Sequence, residues 1–282
     1  MVDAATPLRE LRYSSDITVS IGSPALTVGP ADIIRDFLAG PFTAPDIGSI
    51  PEGAQLVAYH RTGSGGQLLV FDTVVTLGGA LFGPRDVVHY DGATHTLYFD
   101  GAAQGIPDGV RITGIALTDS GQLLLAFDTT VALSGNTYAP IDIARWNGSA
   151  FVPYFAGGNA GIGPGLLLQD FHLIEGTSQL LMTFDTSGTV GGVTFDRSDV
   201  VEYTPGSPGI WQRAFRATSR SSAWSAADLT ALWAAAGAAI LVPTLHVALL
   251  ALLALALATM ARRRLRPSTQ RPDREPRPDI QR

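Results

Sequence analysis

Hydrophobic and polar positions alternate in short runs over the first 233 residues. Arg111–Leu117 (RITGIAL) and Asp142–Trp146 (DIARW) show this alternation, the period of a half-buried strand. Turn signals separate the runs: Asp91-Gly92, Asp119-Ser120-Gly121, Asn147-Gly148 and Pro205-Gly206. The pattern predicts short strands joined by tight turns.

The strands recur as a unit of about 56 residues. One core reads GQLLVFDTVVTL around Phe71-Asp72, GQLLLAFDTTVAL around Phe127-Asp128 and SQLLMTFDTSGTV around Phe184-Asp185. A second landmark follows each: Asp86 (DVVHYDG), Asp142 (DIARWNG) and Asp199 (DVVEYTP). A partial copy opens the chain as LRYSSDITVSI from Leu11, with Asp16 in the place of Asp72. Each unit reads as four short strands, like DVVHYDG, HTLYFDG, RITGIALTD and QLLLAFDTTV in turn. Such a unit cannot bury its own faces, but several around an axis can, which gives an all-β fold of the β-propeller type. The chain opens on a fourth-strand segment and runs through first, second and third strands up to Trp233. The N-terminal strand can therefore complete the last unit and leave no open edge. Four blades are expected; an open β-sandwich or a stack of β-repeats is the alternative.

Past residue 233 the character changes. Residues 234–241 read as a linker, and Ala226–Ala239 as partly helical. From Leu245 to Ala261 only His246 and Thr259 are polar. That length makes about 25 Å of helix, which predicts one C-terminal transmembrane helix. Arg262-Arg263-Arg264 follows, and residues 265–282 form a basic tail, poor in apolar residues and expected to be disordered. Val242-Pro243-Thr244-Leu245, the apolar run and the Arg cluster together resemble the IPTL-CTERM sorting signal, related to the PEP-CTERM signals. His246-Val247-Ala248 stand where that family usually has a Trp. The resemblance covers 242–264. It implies a membrane partner, handling by an exosortase-type sorting enzyme, and release of the body after sorting. The positive-inside rule puts residues 1–240 outside the cytoplasm of a bacterial cell envelope. The N-terminal MVDAATPLRELRYSSDITV lacks a basic region followed by an apolar one, so an export signal is expected upstream of Met1.

Composition then narrows the chemistry. There is no Cys and no Lys among the 282 residues, which excludes disulfides, Cys nucleophiles, Schiff-base lysines and phosphate-loop lysines. The net charge of −6 divides into +5 for residues 262–282 and −11 for the rest. An acidic body argues against a nucleic-acid partner. The five His form no HxH, HxxxH or HExxH pattern. Thr62–Gly66 (TGSGG) reads as a turn, and no Ser-His-acid set is apparent. No catalytic or cofactor-binding residue is assigned. The repeated acids Asp72, Asp128 and Asp185, with Asp86, Asp142 and Asp199, recur around one axis. A ring of carboxylates there would suit Ca²⁺; otherwise each bonds its own turn. Tyr90, Tyr98, Trp146, Tyr154, Phe155 and Trp211 either line a groove or fill the gaps between blades. The whole reads as an exported or envelope-anchored β-repeat protein of binding or structural type, with an extracellular ligand. A secreted propeller-type hydrolase or lyase is one alternative, and a tail-anchored membrane protein without sorting is another.

Overall fold

Alternate side chains of the central strands feed two different cores. A computed structural model of the chain describes residues 6–237. Within them lie 24 strands. Blade 4 takes β1 (Leu8–Ser15), the hairpin β2 (Val19–Ile21) and β3 (Leu26–Val28), β4 (Ile34–Asp36) and β5 (Phe42–Thr43). Blade 1 holds β6 (Leu56–Arg61), β7 (Gln67–Phe71), the hairpin β8 (Val75–Leu77) and β9 (Ala80–Phe82), β10 (Val87–Tyr90) and β11 (His95–Phe99). Blade 2 holds β12 (Ile112–Leu117), β13 (Leu123–Phe127), the hairpin β14 (Val131–Leu133) and β15 (Asn136–Tyr138), β16 (Ile143–Trp146) and β17 (Phe151–Phe155). Blade 3 holds β18 (Leu168–Leu173), β19 (Leu180–Phe184), the hairpin β20 (Gly188–Val190) and β21 (Val193–Phe195), β22 (Asp199–Thr204) and β23 (Ile210–Arg216). The last strand, β24 (Leu229–Ala236), returns to blade 4.

All pairings are antiparallel, and each blade is a four-stranded sheet. The strands β6, β12, β18 and β24 lie innermost and touch their neighbours around one axis. The chain is a four-bladed β-propeller. Four hydrophobic clusters fill it, one between each pair of adjacent blades. Leu68 and Val70 of β7 enter the cluster shared with blade 2, whereas Leu69 and Phe71 enter that shared with blade 4. This explains why β7, β13 and β19 are buried on both faces and read as nearly continuous apolar runs, interrupted by Gln67 and Thr183 alone.

The ring closes through β1, which pairs with β24 from Leu8↔Ala236 to Ser15↔Leu229. The N-terminal strand thus completes the last sheet, as its sequence phase predicts. Three details differ from expectation. The four strands read as one unit divide between two sheets, β10 and β11 in blade 1 and β12 and β13 in blade 2, so each blade begins two strands into the unit. The unit contains six strands, because a small hairpin stands between the second and third strands of every sheet. The expected partly helical stretch from Ala226 contains strand β24, which carries the β domain past 233 to Ala236 and takes up residues assigned to the linker. The Ala-rich sequence favours helix, but the unpaired edge of β1 supplies a ladder that overrides local propensity. The transmembrane helix, the sorting residues Val242, Pro243, Thr244, Leu245, Arg262, Arg263 and Arg264, and the 265–282 tail lie outside the described residues. Among the described residues no helix is long and apolar enough to cross a membrane.

Candidate functional site

The third residue of each inner strand decides what happens on the axis. These residues are Ala58, Gly114, Asp170 and Ala231: three small ones and one acid. A β-bulge at or beside this position interrupts each inner strand. The Asp170 carboxylate occupies the resulting space. One oxygen accepts the N–H of Phe171 at 2.7 Å and of Ile115 in blade 2 at 3.2 Å. The other accepts the N–H of Leu232 in blade 4, and the Tyr59 N–H in blade 1 also bears on the group. One carboxyl thus meets amides from all four blades. Burial pushes its pKa well above the usual carboxylate range, against the downward pull of these amides. A Cβ on Gly114 would stand 2.7 Å from Phe171 and 2.8 Å from Asp170 Oδ1, so Gly is required by close approach.

Asp170 is fully buried, and on β18 it stands between Gln169, which lines one cavity, and His172, which lines another. The larger, of about 690 Å³, opens where the inner strands end, and its wall includes His60, Arg61, His172, Trp233, Arg9 and Glu175. His60 and His172 hold the fifth positions of β6 and β18, in opposite blades, with ring centroids 6.0 Å apart. Burial lowers His60 to about 4. His172 falls to about 3 through burial and the neighbouring His60, with a hydrogen bond to the Ala234 backbone pulling the other way. Both rings are therefore neutral at pH 7, and neither Nδ1 has a hydrogen-bond partner. Trp233 holds the fifth position of β24, its ring 5.7 Å from that of His172. The guanidinium of Arg12 lies 5.3 Å from its centroid and that of Arg61 5.9 Å, both within cation–π range. Arg12 is fixed by Glu10 at 2.8 Å and by the Tyr59 hydroxyl at 2.9 Å. The wall thus combines a flat aromatic face, two neutral imidazoles and charges of both signs.

Nothing in the local sequence around His60 and His172 marks them as a pair. Short-motif spacing cannot reveal them, but a usable signal was present: they lie two repeat lengths apart, which in a four-membered ring means face to face.

The acids that the sequence selected lie elsewhere, on turns and at strand starts. Asp72, Asp128 and Asp185 line the second cavity, of about 260 Å³, at the other end of the axis. Each accepts the N–H of the residue preceding an inner strand: Gln55 at 2.8 Å, Arg111 at 2.9 Å and Leu167 at 2.8 Å. Asp16 does the same for Asp228 at 2.7 Å. Asp128 also pairs with the Arg111 side chain at 2.8 Å. Asp86 and Asp142 each accept two amides, from Gly83 and Gly101 and from Ala139 and Gly157. Asp199 accepts the Asp196 N–H and meets Arg213 at 3.1 Å. The turns they fix carry the joints between blades: Pro30, Pro84, Pro140 and Arg197 offer carbonyls to Leu56, Ile112, Leu168 and Leu229 of the next inner strand, at 2.9–3.3 Å. Each of these acids is thus bonded to a turn or to the start of an inner strand, the second of the two roles the sequence left open. Among the described residues no group of three or more His, Asp or Glu is placed to hold a metal ion.

Apart from Tyr98, the aromatic residues singled out in the sequence pack in the clusters between blades. Trp146 packs on Phe151 at 4.9 Å and Phe99 at 6.0 Å, and Tyr203 on Trp211 at 4.8 Å and Phe155 at 5.3 Å. His95 stacks on Tyr90 and bonds the Ile47 carbonyl. Tyr98 is exposed.

No protein-family model matches the chain, and no curated protein sequence matches it. Solved structures do. A streptogramin B lyase shares 12% identity over 72% of this chain and 53% of its own, with a TM-score of 0.30. A structural genomics protein of unknown function from Bacteroides thetaiotaomicron shares 12% over 75% of this chain and 44% of its own, with a TM-score of 0.30. A catalytically inactive virginiamycin B lyase from Staphylococcus aureus, with quinupristin, shares 10% over 74% and 71%, with a TM-score of 0.32. The chain spans about half the length of the first two. At such identities nothing about activity follows.

Proposed function

We propose that the propeller is a binding module, and that the cavity ringed by His60, His172, Trp233 and Arg61 takes a small polar ligand with a flat face. The carrying observation is the pairing of Trp233 with two neutral imidazoles at the mouth of the axis. Arg9 and Arg61 face Asp119 and Glu175 around the same wall, a balance of charge that suits a neutral or zwitterionic molecule better than a polyanion. Binding is favoured over hydrolysis or elimination by magnitude. A general base works best with a pKa near the working pH, and imidazoles held at about 4 and about 3 are poor bases at pH 7.

The module is exported and delivered to the bacterial envelope by the segment Val242–Arg264, with the body outside the cytoplasm. The apolar run ending in Arg262-Arg263-Arg264 supports this reading. Protease accessibility of the body in intact spheroplasts tests the topology; a protected body overturns it. A thermal-shift screen of amino acids, nucleosides and mono- and disaccharides tests the pocket. A compound that stabilises the wild-type protein and not Trp233→Ala supports it. Equal stabilisation of both proteins, or none by any compound, counts against it.

A further inference from the structure

The four repeats of this ring act as one another's controls, and one surface breaks the pattern. In the outer hairpins the outward position of the second strand is Thr27, Thr137 and Thr194 in blades 4, 2 and 3, and Leu81 in blade 1. In blades 4 and 3 that Thr bonds a hydroxyl across the hairpin, Ser20 to Thr27 at 2.8 Å and Thr189 to Thr194 at 3.3 Å. Two residues after the landmark acid stand Thr18, Thr130 and Ser187, but Val74 in blade 1. Leu81 is 72% exposed and Val74 60% exposed. Neither supports a core, and the other three blades show that the fold accepts a hydroxyl at each place. Both line a single groove of about 370 Å³, together with the exposed Leu97.

The groove wall is acidic. Asp86, Asp100 and Asp108 border it, against Arg85, which Asp108 already engages at 2.7 Å. We propose that this blade 1 groove is a docking site for a protein segment that presents an aliphatic side chain flanked by Arg or Lys. The apolar floor supplies contact area, and the acidic rim selects cations and rejects anions. The body of a second copy, also of net charge −11 outside its 262–282 tail, would bring another acidic surface against this one, and an anionic lipid surface would be repelled likewise.

The test uses the full chain and a fluorescein-labelled nonapeptide with a central Leu between two pairs of Arg. Fluorescence anisotropy is compared for wild type and Val74→Thr/Leu81→Thr, a double variant that copies what the other blades carry and so keeps the fold. Binding is expected to weaken at least tenfold in the variant with its melting temperature unchanged, to disappear when the peptide Leu becomes Ser, and to disappear when its Arg become Glu. Equal binding by variant and wild type overturns the proposal, as does equal binding of the Glu peptide or no binding by any peptide. Sedimentation velocity adds one more outcome: a dimer that Val74→Thr/Leu81→Thr abolishes assigns the groove to a second copy and also overturns it.

Discussion

His60 and His172 face each other across the propeller axis with their rings 6.0 Å apart, although two repeats of chain lie between them. Their pKa values fall from 6.5 to about 4 and about 3. The unfolded chain therefore takes up protons that the folded ring refuses. Stability contributed by the neutral pair is complete above about pH 6.5 and is lost as pH falls from there through 4 toward 3. At about 1.4 kcal/mol per pKa unit, the loss is on the order of 3 kcal/mol for His60 alone. Urea unfolding of wild type and His60→Gln/His172→Gln at pH 7, 5 and 4 measures it. The variant should lose less stability than wild type over this range; parallel losses would contradict the assignment.

Asp170 holds the four inner strands through their amides. Asp170→Asn turns an NH₂ group toward N–H donors and leaves buried amides unsatisfied, at about 1–3 kcal/mol for each one. Urea denaturation should show a loss of about 3 kcal/mol or more. A loss below about 1 kcal/mol would mean that the axis does not depend on this carboxyl.

Gly114 leaves no room for a side chain beside Phe171 and Asp170. Gly114→Ala should destabilise the ring by about 1–3 kcal/mol through overpacking. Ala58→Gly, at the equivalent place in blade 1, should cost less. Equal melting temperatures for Gly114→Ala and wild type would contradict the packing described for the axis.

Much of this fold was legible in the sequence because a repeated unit prints the same landmarks several times. The Phe-Asp pairs marked the strands read as fourth in the unit, which stand second in each sheet, and the same phase in Leu11–Ile21 gave the closure through β1. The outer hairpins were missed because three-residue strands around Gly78-Gly79 or Gly191-Gly192 carry almost no period. Strand β24 was legible as a third strand only up to Trp233, because the Ala-rich sequence around it carries a helical preference that only the waiting edge of β1 overturns. The landmark acids were legible as positions but not as partners: Asp72 could be seen to recur, whereas its bond to the Gln55 amide depends on a turn closed by tertiary contact. The axial histidines were hidden for the converse reason, since their relation is defined by the ring and not by the neighbouring chain.

Arg220 follows β23 and reaches back to blade 4, where its Nε and Nη2 donate to the two oxygens of the fully buried Asp36 at 3.1 and 3.0 Å. Tyr13 shares that carboxylate at 3.2 Å. Arg220→Ala removes the cation and leaves a buried charge, at a cost of about 3–5 kcal/mol. Arg220→Ala/Asp36→Ala should recover part of that loss. Chemical denaturation of the single and double variants checks this; a double variant weaker than the single one would contradict it.

The account centres on the cavity beside Trp233. The chain has four Trp, at positions 146, 211, 224 and 233, so 5-fluorotryptophan labelling gives four ¹⁹F resonances, each assignable by a Trp→Phe substitution. Titration with a compound that raises the melting temperature should move the Trp233 resonance and leave that of Trp224, buried between blades 3 and 4, in place. Movement of Trp146 or Trp211 with Trp233 unchanged would contradict an axial binding site.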